Sequence, residues 1–283
     1  MSGGEPLLRA DLYEIIQYAA EKGLMPVLGT NGTLLDDAVV KKLKESGIKG
    51  LGISLDACNS EYHDLFRASK GAFEKTLSGI RTAVAHGIRV QINTTITNEN
   101  WAQFDDILKL SEEIGASALH PFFLVEAGRG SEIESKKLDD QQYLDALKYI
   151  VEKQAHTKLE LKPTCAPQYL SIAKALDIHM RYTRGCIAGI SYCCILPDGK
   201  VNVCPYMPIE AGDLRVNRFD DIWFNSEVFT NLRDREKYSG SCAKCSDFDI
   251  CGGCRARAYY KSGDYLAQDP LYQKCFKADV THE

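Results

Sequence analysis

MPVLGTNGTLLDDAVVKKLKESGIKGLGISLD, residues 25–56, reads as strand, turn, helix and strand. Met25–Gly29 is a short buried strand, and Thr30-Asn31-Gly32 turns the chain out of it. Asp36 is placed to cap a helix over 36–46, with Val39, Val40 and Leu43 on its apolar stripe. Gly50–Leu55 is the next strand. Upstream, residues 10–22 set Leu12, Ile15, Ile16 and Ala19 at helical spacing, and Gly23 ends that segment. Downstream, a helix over 73–86 closes at Gly87 and a strand runs from Arg89 to Ile96. A helix over 101–114 closes at Gly115, a strand covers Leu119–Leu124, and a further helix spans 141–154. Strand–helix units of this length predict a parallel sheet with right-handed crossovers. Ligands of such sheets sit at the C-terminal strand ends.

Those ends carry small and polar residues. Ser2-Gly3-Gly4-Glu5-Pro6 precedes the first helix, Thr30-Asn31-Gly32 follows a strand, Ser54 and Asp56 end the next, and Asn93 and Thr95 lie on the one after. Paired glycines let a backbone approach a ligand closely, and Glu5 beside them can accept from an ammonium group. Each feature is an ordinary loop or turn when it stands alone. Their recurrence at equivalent strand ends is what points to a site.

Composition excludes several classes. The 283 residues are 45% hydrophobic with a net charge of −5, which fills a core and offers no basic footprint for nucleic acid. No apolar run approaches the ~20 residues of a membrane span. Nothing after Met1 reads as a signal peptide, so a reducing cytoplasm is the expected compartment and disulfides are disfavoured. The histidines show no metal-ligand spacing.

The C-terminal third carries Cys186, Cys193, Cys194, Cys204, Cys242, Cys245, Cys251, Cys254 and Cys275. Cys242-x2-Cys245 with Cys251-x2-Cys254 would suit a zinc ribbon as well as an iron–sulfur cluster. One zinc leaves the remaining thiols without partners, whereas two four-thiolate clusters use them with one to spare.

Ser-Gly-Gly-Glu-Pro, Thr-Asn-Gly and Ile-Ser-Leu-Asp on successive strands, followed by Cys186-x12-Gly199-x4-Cys204, Cys242-x2-Cys245-x5-Cys251 and a late Cys275, resemble the radical S-adenosylmethionine (radical SAM) enzymes with a SPASM domain. One departure is the two-residue gap from Cys251 to Cys254, where many members have three. The resemblance covers essentially the whole chain. It implies a partial (β/α)6 barrel over residues 1–158, followed by a cysteine-rich α+β SPASM domain over 159–283. It also implies S-adenosylmethionine and two auxiliary [4Fe–4S] clusters. The first would use Cys186, Cys193 or Cys194, Cys204 and Cys254, and the second Cys242, Cys245, Cys251 and Cys275. Gly3, Gly4 and Glu5 would meet the methionine amino group, with Asn31 on the same rim. Ser54 and Asp56 would lie near the ribose, and Arg67 near the carboxylate, although a surface arginine in a loop reads equally well.

Family members begin with a strand ending in a Cys-x3-Cys-x2-Cys loop that holds a third, S-adenosylmethionine-reducing cluster. No such run occurs in this sequence, and Cys58 and Cys165 are isolated. The resemblance therefore implies a fragment lacking the first strand, inactive by itself, with its reaction assigned to the intact enzyme.

Lys162-Pro-Thr-Cys-Ala-Pro-Gln-Tyr169, Glu126-Ala-Gly-Arg-Gly130, Asp220–Phe229, Cys251–Ala258 and Gly263–Pro270 look closest to the tetrapyrrole-maturing branch. Within it they favour oxidative decarboxylation of iron-coproporphyrin III propionates to the vinyls of haem b, with a ferredoxin or flavodoxin as reductant. Alternatives in the same class are a ribosomal-peptide maturase and a deacetylase of didecarboxysiroheme. An alternative of another class is a non-catalytic electron-transfer or scaffold protein. Arg129, Arg255 and Arg257 could pair with substrate carboxylates, or the last two could cap the cluster loop. Cys165, between two prolines, could reach the substrate pocket, ligate a cluster or be a buried structural thiol. Cys58 reads as structural.

Overall fold

The computed structural model describes residues 1–271, so Cys275 lies outside the described residues. The chain forms two compact units: Met1–Phe122 with His156–Lys162, and Phe123–Ala155 with the segment from Pro163 onward. The expected domain boundary was one cut at residue 158. In the structure, Phe123–Ala155 groups with the cysteine-rich unit.

The first unit alternates strands and helices as the hydrophobic pattern predicts: α1 (Leu12–Glu21), β1 (Val27–Thr30), α2 (Asp37–Glu45), β2 (Gly50–Ser54), α3 (Ser60–Phe66), α4 (Ala72–Ala85), β3 (Val90–Ile96), α5 (Phe104–Glu113), β4 (Ala118–Phe123) and, after α6 (Asp140–Gln154) of the other unit, β5 (Glu160–Leu161). The strands lie in one sheet in chain order, β1-β2-β3-β4-β5. Pairing is parallel between β1 and β2, β2 and β3, and β4 and β5. Asp36 caps α2 as expected, accepting from Val39 N at 2.8 Å. The expected α/β fold with a parallel sheet is therefore present. Sequence reading missed α3, whose cap is Asn59 accepting from Tyr62 N at 3.0 Å, and the two-residue β5.

Alternation along β3 defines two faces. Val90, Ile92, Thr94 and Ile96 are buried, while Gln91, Asn93 and Thr95 are half-buried. The half-buried face is continued by small residues, since Gly29 stands opposite Gly52, Gly52 opposite Gln91, and Ser54 opposite Asn93. A Cβ on Gly52 would come within 3.0 Å of Asn93 Nδ2. One face of the sheet thus presents backbone and amide groups; α4 lies against β2 and β3, and Ile16, Val40, Leu43, Leu77 and Ile80 of the helices are buried.

His120 of β4 is buried, and burial first, then the charge of Lys162, pulls its pKa down to about 4 against the opposing pull of Glu160. The folded chain thus keeps His120 neutral where the unfolded chain, near its ordinary 6.5, is protonated. Stability should fall as pH drops from about 6.5 to about 4, by at most about 3 kcal/mol from this group. Urea midpoints at pH 7 and pH 4.5 check it. The wild type should lose more than His120→Gln, and equal losses would put the acid sensitivity elsewhere.

The second unit continues with α7 (Tyr169–Ala175), an antiparallel sheet of β6 (Cys194–Ile195), β7 (Lys200–Cys204) and β8 (Met207–Asp213), and short helices α8 (Phe219–Asn225), α9 (Glu227–Arg233), α10 (Gly240–Lys244), α11 (Phe248–Cys251) and α12 (Arg255–Ser262). Its core gathers Val201, Val203, Met207, Phe229, Leu232 and Phe248 around Cys254. Among the described residues no helix is long and apolar enough to cross a membrane.

Candidate cofactor sites

Glu5 is the hub of the first site. Its Oε1 accepts from Thr30 Oγ1 at 2.6 Å and Leu7 N at 3.2 Å, and its Oε2 accepts from Asn31 N at 2.8 Å. One carboxylate therefore joins the Gly-Gly-Glu segment to the end of β1. Asn31 closes a local turn, its Oδ1 accepting from Thr33 N and Oγ1 at 2.8 and 2.7 Å. Gly32 is required here: its φ is +80°, and a Cβ would strike Ile53 Cγ2 at 2.8 Å. Gly3 and Gly4 have φ of +103° and +44° with nothing within 4 Å of an added Cβ, leaving open backbone beside Glu5.

The end of β2 holds a second arrangement. Asp56 is fully buried; its Oδ2 accepts from Arg67 Nε at 2.6 Å and its Oδ1 from Thr95 N at 2.9 Å. Its own N–H donates to His63 Nδ1 at 3.2 Å, and burial lowers the pKa of that imidazole. With both oxygens engaged, Asp56 acts by holding Arg67, whose side chain is 32% exposed. Ser54 stands half-buried at the same strand end. Cys58 donates to Gln103 Oε1 at 3.2 Å, as a structural thiol does.

In the second unit the hairpin follows from Leu196-Pro197-Asp198-Gly199. Leu196 N donates to Lys200 O at 2.8 Å, and Gly199 takes φ +86°. Cys194 stands opposite Asn202, so it shares a face with Cys204 two residues on, while Cys193 points the other way. Cys186 N donates to Cys251 O at 3.1 Å and Gly185 N to Ile250 O at 2.7 Å, which ties the first cysteine to the last run.

Backbone N–H groups point at the sulfurs. Asp247 N donates to Cys245 Sγ at 3.3 Å, Gly253 N to Cys251 Sγ at 3.4 Å and Asp269 N to Cys242 Sγ at 3.4 Å. Burial pushes the Cys204 and Cys254 thiols up to about 12 and about 11, with the N–H of Tyr206 pulling the first back and the charge of Arg257 the second. None of the ten described cysteines forms a disulfide. Arg255 Nη2 is buried with no hydrogen-bond partner among the described residues, and its charge lowers the pKa of Cys242, which burial raises. A donor set of thiols with N–H groups directed at the sulfurs and a guanidinium with one unused N–H group beside Cys242 fits an anionic iron–sulfur cluster. Among the described residues no three His, Cys, Asp or Glu side chains converge on one metal ion.

Arg255 and Arg257 are engaged within the protein. Arg255 donates to Gly253 O, Tyr265 O and Ala267 O at 3.2, 3.0 and 2.8 Å, so it caps the loop. Arg257 pairs with Asp269 through Nε at 2.9 Å and Nη2 at 3.0 Å and donates Nη1 to Cys165 O at 3.2 Å. Of the two readings open for them, these contacts favour the one in which they brace the cluster loop. Asp269, which sequence reading did not single out, also accepts from Cys254 N at 2.7 Å and Gln168 Nε2 at 2.8 Å. Its partners lie up to 101 residues away, a pairing that no local pattern signals.

Comparison with known proteins agrees with both halves. Residues 1–111 match the radical SAM superfamily and 186–246 the SPASM iron–sulfur cluster-binding domain. An AdoMet-dependent heme synthase of Methanosarcina barkeri is 42% identical over 95% of this chain and 80% of its own length. An Fe-coproporphyrin III synthase of the same organism is 33% identical, over 95% and 73%. Streptococcus suis SuiB bound to its precursor peptide SuiA superposes with a TM-score of 0.74, over 96% of this chain and 64% of SuiB; at 19% identity this speaks to the fold alone.

Proposed function

Since the chain belongs to the radical SAM superfamily and carries a SPASM iron–sulfur domain, we propose that it acts in haem biosynthesis by oxidatively decarboxylating two propionates of iron-coproporphyrin III to the vinyls of haem b. It is an enzyme whose cofactors are S-adenosylmethionine and [4Fe–4S] clusters. The observation that carries the haem reading is the 42% identity to the heme synthase across 95% of the chain. Each propionate would lose a hydrogen atom from its β-carbon, one electron and carbon dioxide, leaving a vinyl group. S-adenosylmethionine with its reducing cluster would supply the hydrogen-abstracting radical when bound, and an auxiliary cluster would supply the acceptor for the released electron. A one-electron donor of the ferredoxin or flavodoxin class feeds the reaction.

The chain's own residues bind and orient. Glu5, fixed by Thr30 and Asn31, accepts from the methionine ammonium, and Gly3 and Gly4 leave room for it. Arg67, held by Asp56, meets the carboxylate, and Ser54 lies at the ribose. Cys242, Cys245 and Cys251 hold one auxiliary cluster together with Cys275, and Cys186, Cys204 and Cys254 contribute to the other.

The test has two arms. Anaerobic titration of the reconstituted chain with iron-coproporphyrin III should perturb the Soret band at one equivalent. The reducing cluster needs a Cys-x3-Cys-x2-Cys run, which these 283 residues do not contain. Turnover is therefore measured on a version extended through an upstream in-frame run of that kind, where haem b, carbon dioxide and 5′-deoxyadenosine should appear together. No porphyrin binding, or crosslinking of a peptide instead, would sink the haem reading.

A further inference from the structure

A four-iron cluster takes four thiolates, and beside Cys186, Cys204 and Cys254 the second unit offers three further thiols, Cys165, Cys193 and Cys194. Cys194 lies on the Cys204 face of the hairpin and Cys193 on the opposite one. Cys165 lies outside the cysteine motif; like Cys193 it packs with Cys204 against the core that contains Cys254, and it is joined to the Cys254 loop by the contacts that follow. Its backbone is strained: Cys165 takes φ +60°, a left-handed conformation costly for any residue with a Cβ. Arg257 holds that conformation by donating Nη1 to Cys165 O, Asp269 holds Arg257, and the same Asp269 carboxylate holds Cys254 N. The loop bearing Cys165 and the loop bearing Cys254 are thus fixed to each other through one buried ion pair.

We propose that Cys165 is the fourth ligand of the first auxiliary cluster, with Cys186, Cys204 and Cys254, and that Cys193 and Cys194 stay outside it. The inference rests on the cluster-binding reading and does not depend on which substrate the enzyme takes.

The experiment compares Cys165→Ser and Cys194→Ser after anaerobic reconstitution, reading iron and sulfide per chain and the low-temperature EPR of the dithionite-reduced protein. Wild-type iron near two clusters' worth establishes that both clusters assemble, and its failure would overturn the cluster reading itself. Given that, Cys165→Ser should lose about four irons, or show a three-iron signal on oxidation, while keeping the EPR signal of the Cys242–Cys245–Cys251 cluster as proof of folding. Cys194→Ser should match wild type. Wild-type iron and EPR in Cys165→Ser overturn the assignment, as does loss of the first cluster in Cys194→Ser or of both clusters in Cys165→Ser.

Discussion

Replacing Asp269 by Ala should cost about 3–5 kcal/mol, the penalty for stranding one half of a buried ion pair. Asp269 is fully buried, and its carboxylate takes five N–H donors: Arg257 Nε and Nη2, Cys254 N, Gln168 Nε2 and Leu271 N. Burial by itself would push its pKa up; the Arg257 charge and the N–H groups more than offset this and hold it below the usual carboxylate value. Alanine removes every acceptor and leaves a guanidinium that is only 12% exposed. Asn does not rescue, because it has one acceptor oxygen and turns an NH2 toward donors. A loss of this size is a large part of the 5–15 kcal/mol that holds a typical domain together. The urea midpoint should drop accordingly, and iron per chain should fall because Cys254 and Cys165 lose their common anchor. Replacing both partners, Arg257→Met with Asp269→Leu, should recover part of the stability without recovering the cluster. If Asp269→Ala unfolds at the wild-type midpoint, the network is ornamental and the cysteine loops are positioned by the apolar core around Phe229 and Phe248.

The fold was legible where a single period ran long enough. The stripes of α4 and α6 and the alternation of β3 each repeat several times, and the side chain of Asp36 declares its helix. Helix α3 escaped because its seven residues complete barely two turns, and β5 because two residues carry no alternation. At the site, glycines and thiols were readable as types whose chemistry is independent of partners. Asp56, Arg255 and Arg257 were not, since a charged residue facing a ligand and one neutralised inside the fold look the same in sequence. What separates them is a pairing such as Arg67 with Asp56, made through tertiary contact. The same holds for Cys165: in sequence it merely lies between Pro163 and Pro167, and it is tertiary contact, the Arg257–Asp269 pair among it, that relates it to Cys254.

Glu5→Ala should weaken S-adenosylmethionine binding about 10- to 100-fold, the worth of one hydrogen bond between charged partners. An ionised carboxylate has about four lone-pair sites. Three are taken by Leu7 N, Thr30 Oγ1 and Asn31 N, which fix the group's orientation and leave acceptor capacity beside the open backbone of Gly3 and Gly4. An ammonium fits that remainder because it donates without needing an acceptor in return. Glu5→Gln keeps the volume but sets an NH2 against either Thr30 Oγ1 or Asn31 N–H, so it should fall between wild type and Ala. Glu5→Asp keeps the charge on a shorter stem that cannot span from the Gly-Gly segment to Asn31, and should resemble Ala. Calorimetric titration of S-adenosylmethionine reads the affinity, while the urea midpoint separates it from the expected 1–3 kcal/mol cost of unsatisfied Asn31 and Leu7 donors. A variant that loses stability but binds S-adenosylmethionine as the wild type does would leave Glu5 as the clasp of the Thr30–Asn31 turn and move ammonium recognition to another group.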